Sequence, residues 1–157
     1  ENWADEGPGF KAINVPGLGK VGFGICMDLN PYKFTAPFDA YEFANFHLHQ
    51  QTDIILCSMA WLLNNSETSI VDYWLQRLFP LINDAEYKGF RPDVRNPETA
   101  IKRNVLFVVC NRTGTEEGTT FGGSSTVASI SPRGEIHMLG SLGIHQEDVI
   151  VVDVPSL

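Results

Sequence analysis

The sequence lacks any uninterrupted apolar stretch approaching the roughly 20 residues that span a bilayer, and it shows no secretory leader pattern. It also lacks a basic cluster. With 11 Lys and Arg against 19 Asp and Glu the formal net charge is −8, which argues against nucleic acid and anionic membrane surfaces as partners. The acidic excess suits a cationic partner such as a protonated peptide amino terminus, or is simply a solvated surface. Cysteine is scarce and odd in number, three in 157 residues, each inside an apolar run. That pattern excludes a disulfide framework and reads as reduced thiols in an intracellular, cytoplasmic setting. Internal repeats and low-complexity tracts are absent. There is no initiating Met, and the chain starts just ahead of its most distinctive motif, from which a C-terminal piece of a longer polypeptide is expected.

What is present is a buried-strand composition, 43% hydrophobic, and one telling stretch: Val21-Gly-Phe-Gly-Ile-Cys-Met-Asp-Leu-Asn-Pro. A strand ending in Cys26, followed at once by polar turn residues and a proline, lifts a sulfur from the sheet edge on a sharp bend. Gly22 and Gly24 allow neighbouring backbone to pass close, and the Met27 N–H is placed where a developing oxyanion would sit. The plain alternative is a buried inert cysteine at a strand end.

Periodicity organises the rest. Lys20 to Cys26, Asp53 to Met59 and Asn104 to Cys110 are strand-length apolar runs, expected to be buried on both faces. Pro37 to His49 has helical spacing through Phe38, Tyr41, Phe46 and Leu48, with Thr35 as its expected cap. A helix between two consecutive buried strands predicts a right-handed parallel crossover. Thr68 to Ile82 repeats the helical pattern through Val71, Trp74, Leu75, Leu78 and Phe79. Asn83 to Pro97 turns polar, so residues 64–97 are expected to form an insertion or lid, and Pro97-Glu98 to open a short helix. Thr126 to Ser131 and Glu135 to Leu139 flank Pro-Arg-Gly and predict a hairpin, with Val149 to Val154 a last strand.

The segments following Cys26 carry a family resemblance. Gln51-Thr-Asp-Ile-Ile-Leu-Cys-Ser-Met-Ala-Trp-Leu, Ala100-Ile-Lys-Arg-Asn-Val-Leu-Phe-Val-Val-Cys-Asn-Arg-Thr-Gly, and Gly122-Gly-Ser-Ser with Pro132-Arg-Gly-Glu resemble, in order and spacing, the landmarks of the carbon–nitrogen hydrolase (nitrilase) superfamily. Within it, Cys26-Met-Asp-Leu-Asn-Pro-Tyr-Lys-Phe-Thr-Ala-Pro-Phe and Cys110-Asn-Arg-Thr-Gly-Thr-Glu-Glu-Gly-Thr-Thr are similar to the fungal protein N-terminal amidases. The resemblance implies an α/β fold, the α-β-β-α sandwich of that superfamily. Residues 1–157 would be roughly the C-terminal half of a single domain, and one sheet face would lose its partner. It implies an amidohydrolase that deamidates N-terminal Asn or Gln of proteins or peptides through a Cys26 thioester, feeding an N-terminal degradation signal. No metal, cofactor, nucleic acid or membrane enters that chemistry, and homo-oligomers are common among such proteins. The family's catalytic Glu and Lys lie upstream of the cysteine. Here Lys11 and Lys20 are the only preceding lysines, and neither they nor Glu1 and Glu6 stand in the family's context. An ordinary thiol is mostly protonated at neutral pH, so without a base or cation the isolated chain is expected to be inactive.

Other residues fall around this centre. Asp28 and Arg112 follow strands of one parallel sheet and are expected at one edge as an ion pair, or else as two solvated charges. Trp61 and Asn111 end strands beside Cys26 and line the pocket or pack. The resemblance makes Glu116 and Glu117 candidates for contacting a substrate ammonium; the alternative is a solvated acidic turn. Cys57 and Cys110 read as core thiols. His47 and His49 fall on different helix faces, which argues against a shared metal site. His137 and His145 lack a Cys/His protease signature, and Gly122-Gly-Ser-Ser lacks the Lys of a phosphate loop. Two other functions remain open: a small-molecule amidase of the same superfamily, and a truncated non-catalytic interaction module.

Overall fold

The computed structural model describes residues 5–63, 69–82 and 101–154. Its centre is a six-stranded sheet built from β1 (Lys11–Val15), β2 (Gly19–Ile25), β3 (Ile54–Met59), β4 (Val105–Asn111), β7 (Thr126–Ile130) and β8 (Ile136–Ser141), in the order β1-β2-β3-β4-β7-β8. β5 (Thr113–Glu116) and β6 (Thr119–Gly122) form a separate antiparallel hairpin. β2, β3 and β4 run parallel, with Val21 opposite Ile54 and Ile54 opposite Leu106. β1 and β7 flank them antiparallel, and β8 closes the far edge as a hairpin with β7.

Helix α1 (Glu42–Gln50) connects β2 to β3, the crossover that parallel pairing of sequential strands requires. It lies close to the sheet because the β2 residues beneath it are glycines. A Cβ on Gly24 would stand 2.7 Å from Phe43 Cζ and 3.0 Å from Cys57 Sγ, and one on Gly22 would overlap the His47 ring. Helix α2 (Ile70–Arg77) and the 3-10 turn Phe79–Leu81 complete the layer. Phe43, Trp74, Leu78 and Leu81 pack there against Ile55, Phe107, Ala128 and Ile130.

Among the described residues the helices cover that face alone. On the other, Val21, Ile54 and Leu106 form a small buried cluster with Val15, Val108 and Leu139, while Phe23, Leu56 and Ile25 are 41%, 37% and 70% exposed. Burial on both faces is therefore not met among the described residues, because nothing described there forms a second layer. Register puts Ile25, Ser58 and Cys110 in one row on this face, and Cys110 is exposed rather than a core thiol.

Three further expectations are corrected. The helix begins at Glu42, not Pro37: residues Phe38–Ala40 form a 3-10 turn, Tyr41 takes φ +45° and breaks the path, and the Thr35 hydroxyl donates to Tyr32 O (3.1 Å) instead of capping. Residues 149–154 form no strand; they run beside β8, where a Cβ on Gly140 would meet Ile150 and Val152 at 2.7 and 2.9 Å. Of the segment 64–97, residues 69–82 belong to the core, with Trp74 fully buried. Residues 64–68 and 83–97, and the helix expected at Pro97-Glu98, lie outside the described residues. The strands β1, β5 and β6 were not foreseen, whereas the β7–β8 hairpin stands where Pro-Arg-Gly places it.

His47 is sealed between α1 and the sheet, its Nδ1 3.1 Å from the Thr52 hydroxyl, its Nε2 without a partner, and its ring edge-on to Phe43 at 4.4 Å. Burial lowers its pKa to about 4. A folded-state pKa below the ordinary value near 6.5 means that the unfolded chain binds the extra proton first. The contribution is therefore intact above pH 6.5 and is lost as pH falls from 6.5 towards 4, by up to about 3 kcal/mol. Urea unfolding at pH 7 and pH 4.5 should show this loss in the parent chain and a much smaller one in His47→Phe; equal losses would contradict the assignment.

Candidate active site

β2 ends at Ile25 in extended conformation, and the chain turns abruptly. Cys26 adopts φ +39° and opens a 3-10 turn over Cys26–Leu29, with Asn30 extended again and Pro31 preventing continuation. A left-handed cysteine costs about 1–2 kcal/mol relative to ordinary backbone, so other contacts must hold it. Asp28 supplies one: its Oδ2 accepts the Ile25 N–H at 2.8 Å, closing the turn on itself. The Asn30 N–H donates to Met27 O at 2.9 Å. Cys26 is half-buried and Met27 half-exposed, on a strand-to-turn bend of the kind that presents nucleophiles.

The register places the other candidates along this edge. Ile25 pairs with Ser58 and Met59 with Asn111, so Cys26 and Asn111 end strands that flank β3, roughly 10 Å apart. Asn111 is buried, and its amide organises the edge: Oδ1 accepts the Trp61 N–H at 2.7 Å and Nδ2 donates to Gly123 O at 2.7 Å. Gly122 N–H donates to Trp61 O at 2.8 Å, and Leu63 N–H to Thr120 O at 2.9 Å, so the β5–β6 hairpin is docked on residues 61–63. This gives the glycines of Gly122-Gly-Ser-Ser a structural reason. A Cβ on Gly122 would overlap Ile70, and one on Gly123, which has φ +51°, would overlap the Ile144 carbonyl. The Trp61 ring lies 5.7 Å from Tyr73 and 6.1 Å from Trp74.

Asp28 and Arg112 are not paired. Arg112 turns instead to Glu116, four residues on at the end of β5, at 2.5 Å, and stacks over the Phe121 ring at 4.3 Å. The hairpin that carries Arg112 outward supplies a nearer carboxylate, while Asp28 is committed to Ile25. Glu116 and Glu117 stand at the hairpin tip, with Glu117 at φ +49° and Gly118 at φ +79° forming the turn. Both are exposed and several strand residues beyond the Cys26 edge.

The remaining groups separate cleanly. Burial, with a smaller effect of the Asp28 charge, pushes the Cys57 thiol up to about 12, so it stays protonated as a core residue. Lys20 lies at the opposite end of β2, about 20 Å from Cys26, with Nζ donating to Gln50 O at 2.7 Å. Glu6 accepts from the Tyr32 hydroxyl at 2.7 Å and pairs with Lys33 at 3.1 Å on the surface. Among the described residues no group of three His, Cys, Asp or Glu side chains is arranged to hold a metal ion.

Missed by sequence reasoning were Asn30, Tyr73 and Arg77. Tyr73 donates to Asn30 Oδ1 at 2.5 Å, and Arg77 Nε to Leu29 O at 2.8 Å, so helix α2 grips the turn that begins at Cys26. The only signal available was an arginine at the end of a strongly amphipathic helix.

An α/β layer whose parallel strands end at a cysteine elbow has the nitrilase-type fold. Superposition bears this out on an N-terminal amidase with an Asn-Glu-Ala peptide (TM-score 0.68, 18% identity, 87% of this chain and 63% of that chain) and on the amidase from Nesterenkonia sp. AN1 (TM-score 0.57, 19% identity, 96% and 44%). The curated homologues narrow the class: the chain is homologous to the protein N-terminal amidases. It is 34% identical to that of Schizosaccharomyces pombe over 171 aligned residues, covering 96% of this chain and 54% of the relative. It is 53% identical to that of Saccharomyces cerevisiae over 53 residues, covering 34% of this chain and 11% of the relative. No family model matches the chain. The chain spans about half the length of the Schizosaccharomyces pombe relative.

Asn111→Ala should cost about 2–4 kcal/mol, because the Trp61 N–H and the Gly123 carbonyl lose their partner together. Denaturant unfolding measures it; a change below about 0.5 kcal/mol, the size of an ordinary surface substitution, would show that Asn111 is not the edge's organiser.

Proposed function

We propose that this chain is the nucleophile-bearing part of an intracellular amidohydrolase that deamidates N-terminal Asn or Gln of proteins and peptides. The observation that carries the reading is Cys26, raised on a left-handed turn at the end of β2, in a chain homologous over nearly its whole length to protein N-terminal amidases. Solved N-terminal amidases hold Asn-Glu and Gln-Val peptides, and the Nesterenkonia amidase shows acrylamide added at its active-site cysteine. In the proposed reaction Cys26 Sγ attacks the side-chain carboxamide carbon. The C–N bond breaks, ammonia leaves with the proton delivered by a general acid, and a thioester remains. Water then cleaves the thioester, giving Asp or Glu and restoring the thiol. The Met27 N–H holds the tetrahedral oxyanion, a kind of donor whose loss costs about 10²–10³ in rate.

A general base and a lysine complete this chemistry in the family, and the surroundings of Glu6, Lys11 and Lys20 do not suit either role. The open face around Phe23, Ile25 and Leu56 is where a second sheet layer of an α-β-β-α sandwich packs, and such a layer would carry them. Product Asp or Glu at a protein amino terminus would feed an N-terminal degradation signal. Asp28, Trp61 and Asn111 serve by holding the elbow and the pocket edge. Glu116 is neutralised by its ion pair with Arg112, so of the two acidic candidates Glu117 is the one that leaves the hairpin tip a negative charge suited to a substrate ammonium.

The test is a substrate panel on the native gene product purified from its own cells: peptides beginning with Asn or Gln against simple free amides, with conversion followed by mass spectrometry. Turnover of the peptides, lost in Cys26→Ala, is the expected result. Preference for free amides would favour a small-molecule amidase, and no turnover of either would favour a non-catalytic module.

A further inference from the structure

Arg77 is buried, 4% exposed, yet no carboxylate among the described residues lies within ion-pair distance of it, and its Nη2 has no partner. A buried cation so placed is poorly explained by stability, since its desolvation is not offset by an opposite charge. Among the described residues, its hydrogen bonds and ring contacts fall in one segment. Nε donates to Leu29 O at 2.8 Å and Nη1 to Phe38 O at 2.5 Å, and the guanidinium carbon lies 5.3 and 4.8 Å from the centres of the Phe38 and Tyr41 rings. This is the stretch that leaves Cys26 and returns to α1. One helical turn earlier, on the same face of α2, Tyr73 donates to Asn30 Oδ1. Asn30 in turn reaches Met27 twice, through N–H to O at 2.9 Å and through Nδ2 to Sδ at 3.6 Å.

We infer that Tyr73 and Arg77 form a clamp from α2 that positions the Cys26 elbow, holding its left-handed backbone from outside while Asp28 holds it from within. The inference rests on the reading of Cys26 as the nucleophile, and it gives α2 a double role. The Tyr73 hydroxyl fixes the turn, and the Tyr73 ring supports Trp61 at 5.7 Å, so the elbow and the pocket wall share one strut. Both are positioning residues: Arg77 acts through the Leu29 carbonyl and Tyr73 through the Asn30 side chain. Tyr73→Phe keeps the ring and Trp61 contact and removes only the hydroxyl, whereas Arg77→Lys keeps the charge and removes the fork that spans two carbonyls.

The measurement is the alkylation rate of Cys26 relative to glutathione added to the same sample, read by peptide mass spectrometry on the intact protein with iodoacetamide. Glutathione, a small free thiol, corrects for reagent concentration and is untouched by either substitution. The clamp predicts that the ratio falls about threefold or more in Tyr73→Phe and in Arg77→Lys, since small displacements of a positioned group have large effects on rate. A ratio that stays at the parent value, or rises, overturns it, including where the unfolding midpoint drops, because a strut for packing alone would lower stability and leave the ratio unmoved. Should Arg77→Lys fail to fold, Tyr73→Phe decides. The readout needs no amide turnover, so failure of the clamp and failure of the amidase reading are distinguishable.

Discussion

Pairing of Val21 with Ile54, and of Ile54 with Leu106, sets β2, β3 and β4 parallel and in register, and through that register brings the ends of three sequence-distant strands to one edge. Parallel strands of this kind need a crossover between them, and the chain supplies α1 over two glycines narrow enough to admit it. A bulky residue at either glycine would push α1 off the sheet. The edge is thus a consequence of topology: Cys26, Trp61 and Asn111 stand along it because their strands stop together.

What then distinguishes the edge is how few of its contacts involve charges in contact with one another. Asp28 serves a backbone N–H, Arg77 serves backbone carbonyls, and Asn111 bridges a backbone N–H and a backbone carbonyl. Side chains are used here to fix main chain, which is what a non-glycine residue at positive φ requires. Arg112 and Glu116 form their ion pair out on the hairpin, where solvent screens it and its energetic worth is small.

The three parallel strands and the β7–β8 hairpin were legible because each is a strand-length apolar run bounded by turn residues, and Cys26 was legible because it ends one. β1 was not, since Lys11-Ala-Ile-Asn-Val alternates weakly and pairs only through the turn at Pro16 to Leu18. β5 and β6 were hidden by their Thr, Gly and Glu content, which reads as loop until Trp61 to Leu63 is known to dock there. The expected Asp28–Arg112 pair failed on the same ground: strand ends share an edge, but a hairpin following β4 turns Arg112 away. Tyr73 and Arg77 were visible as helix residues and invisible as a clamp, because their partners lie more than forty positions earlier or at a carbonyl that sequence does not mark.

Cys26 as covalent nucleophile is the claim on which the functional account stands. Rapid acid quenching of the native gene product during turnover of a peptide with N-terminal Asn, followed by digestion and mass spectrometry, tests it directly. The account predicts an acyl adduct on the peptide containing Cys26 and none on those containing Cys57 or Cys110. Turnover that persists in Cys26→Ala, or an adduct on another residue, would contradict it.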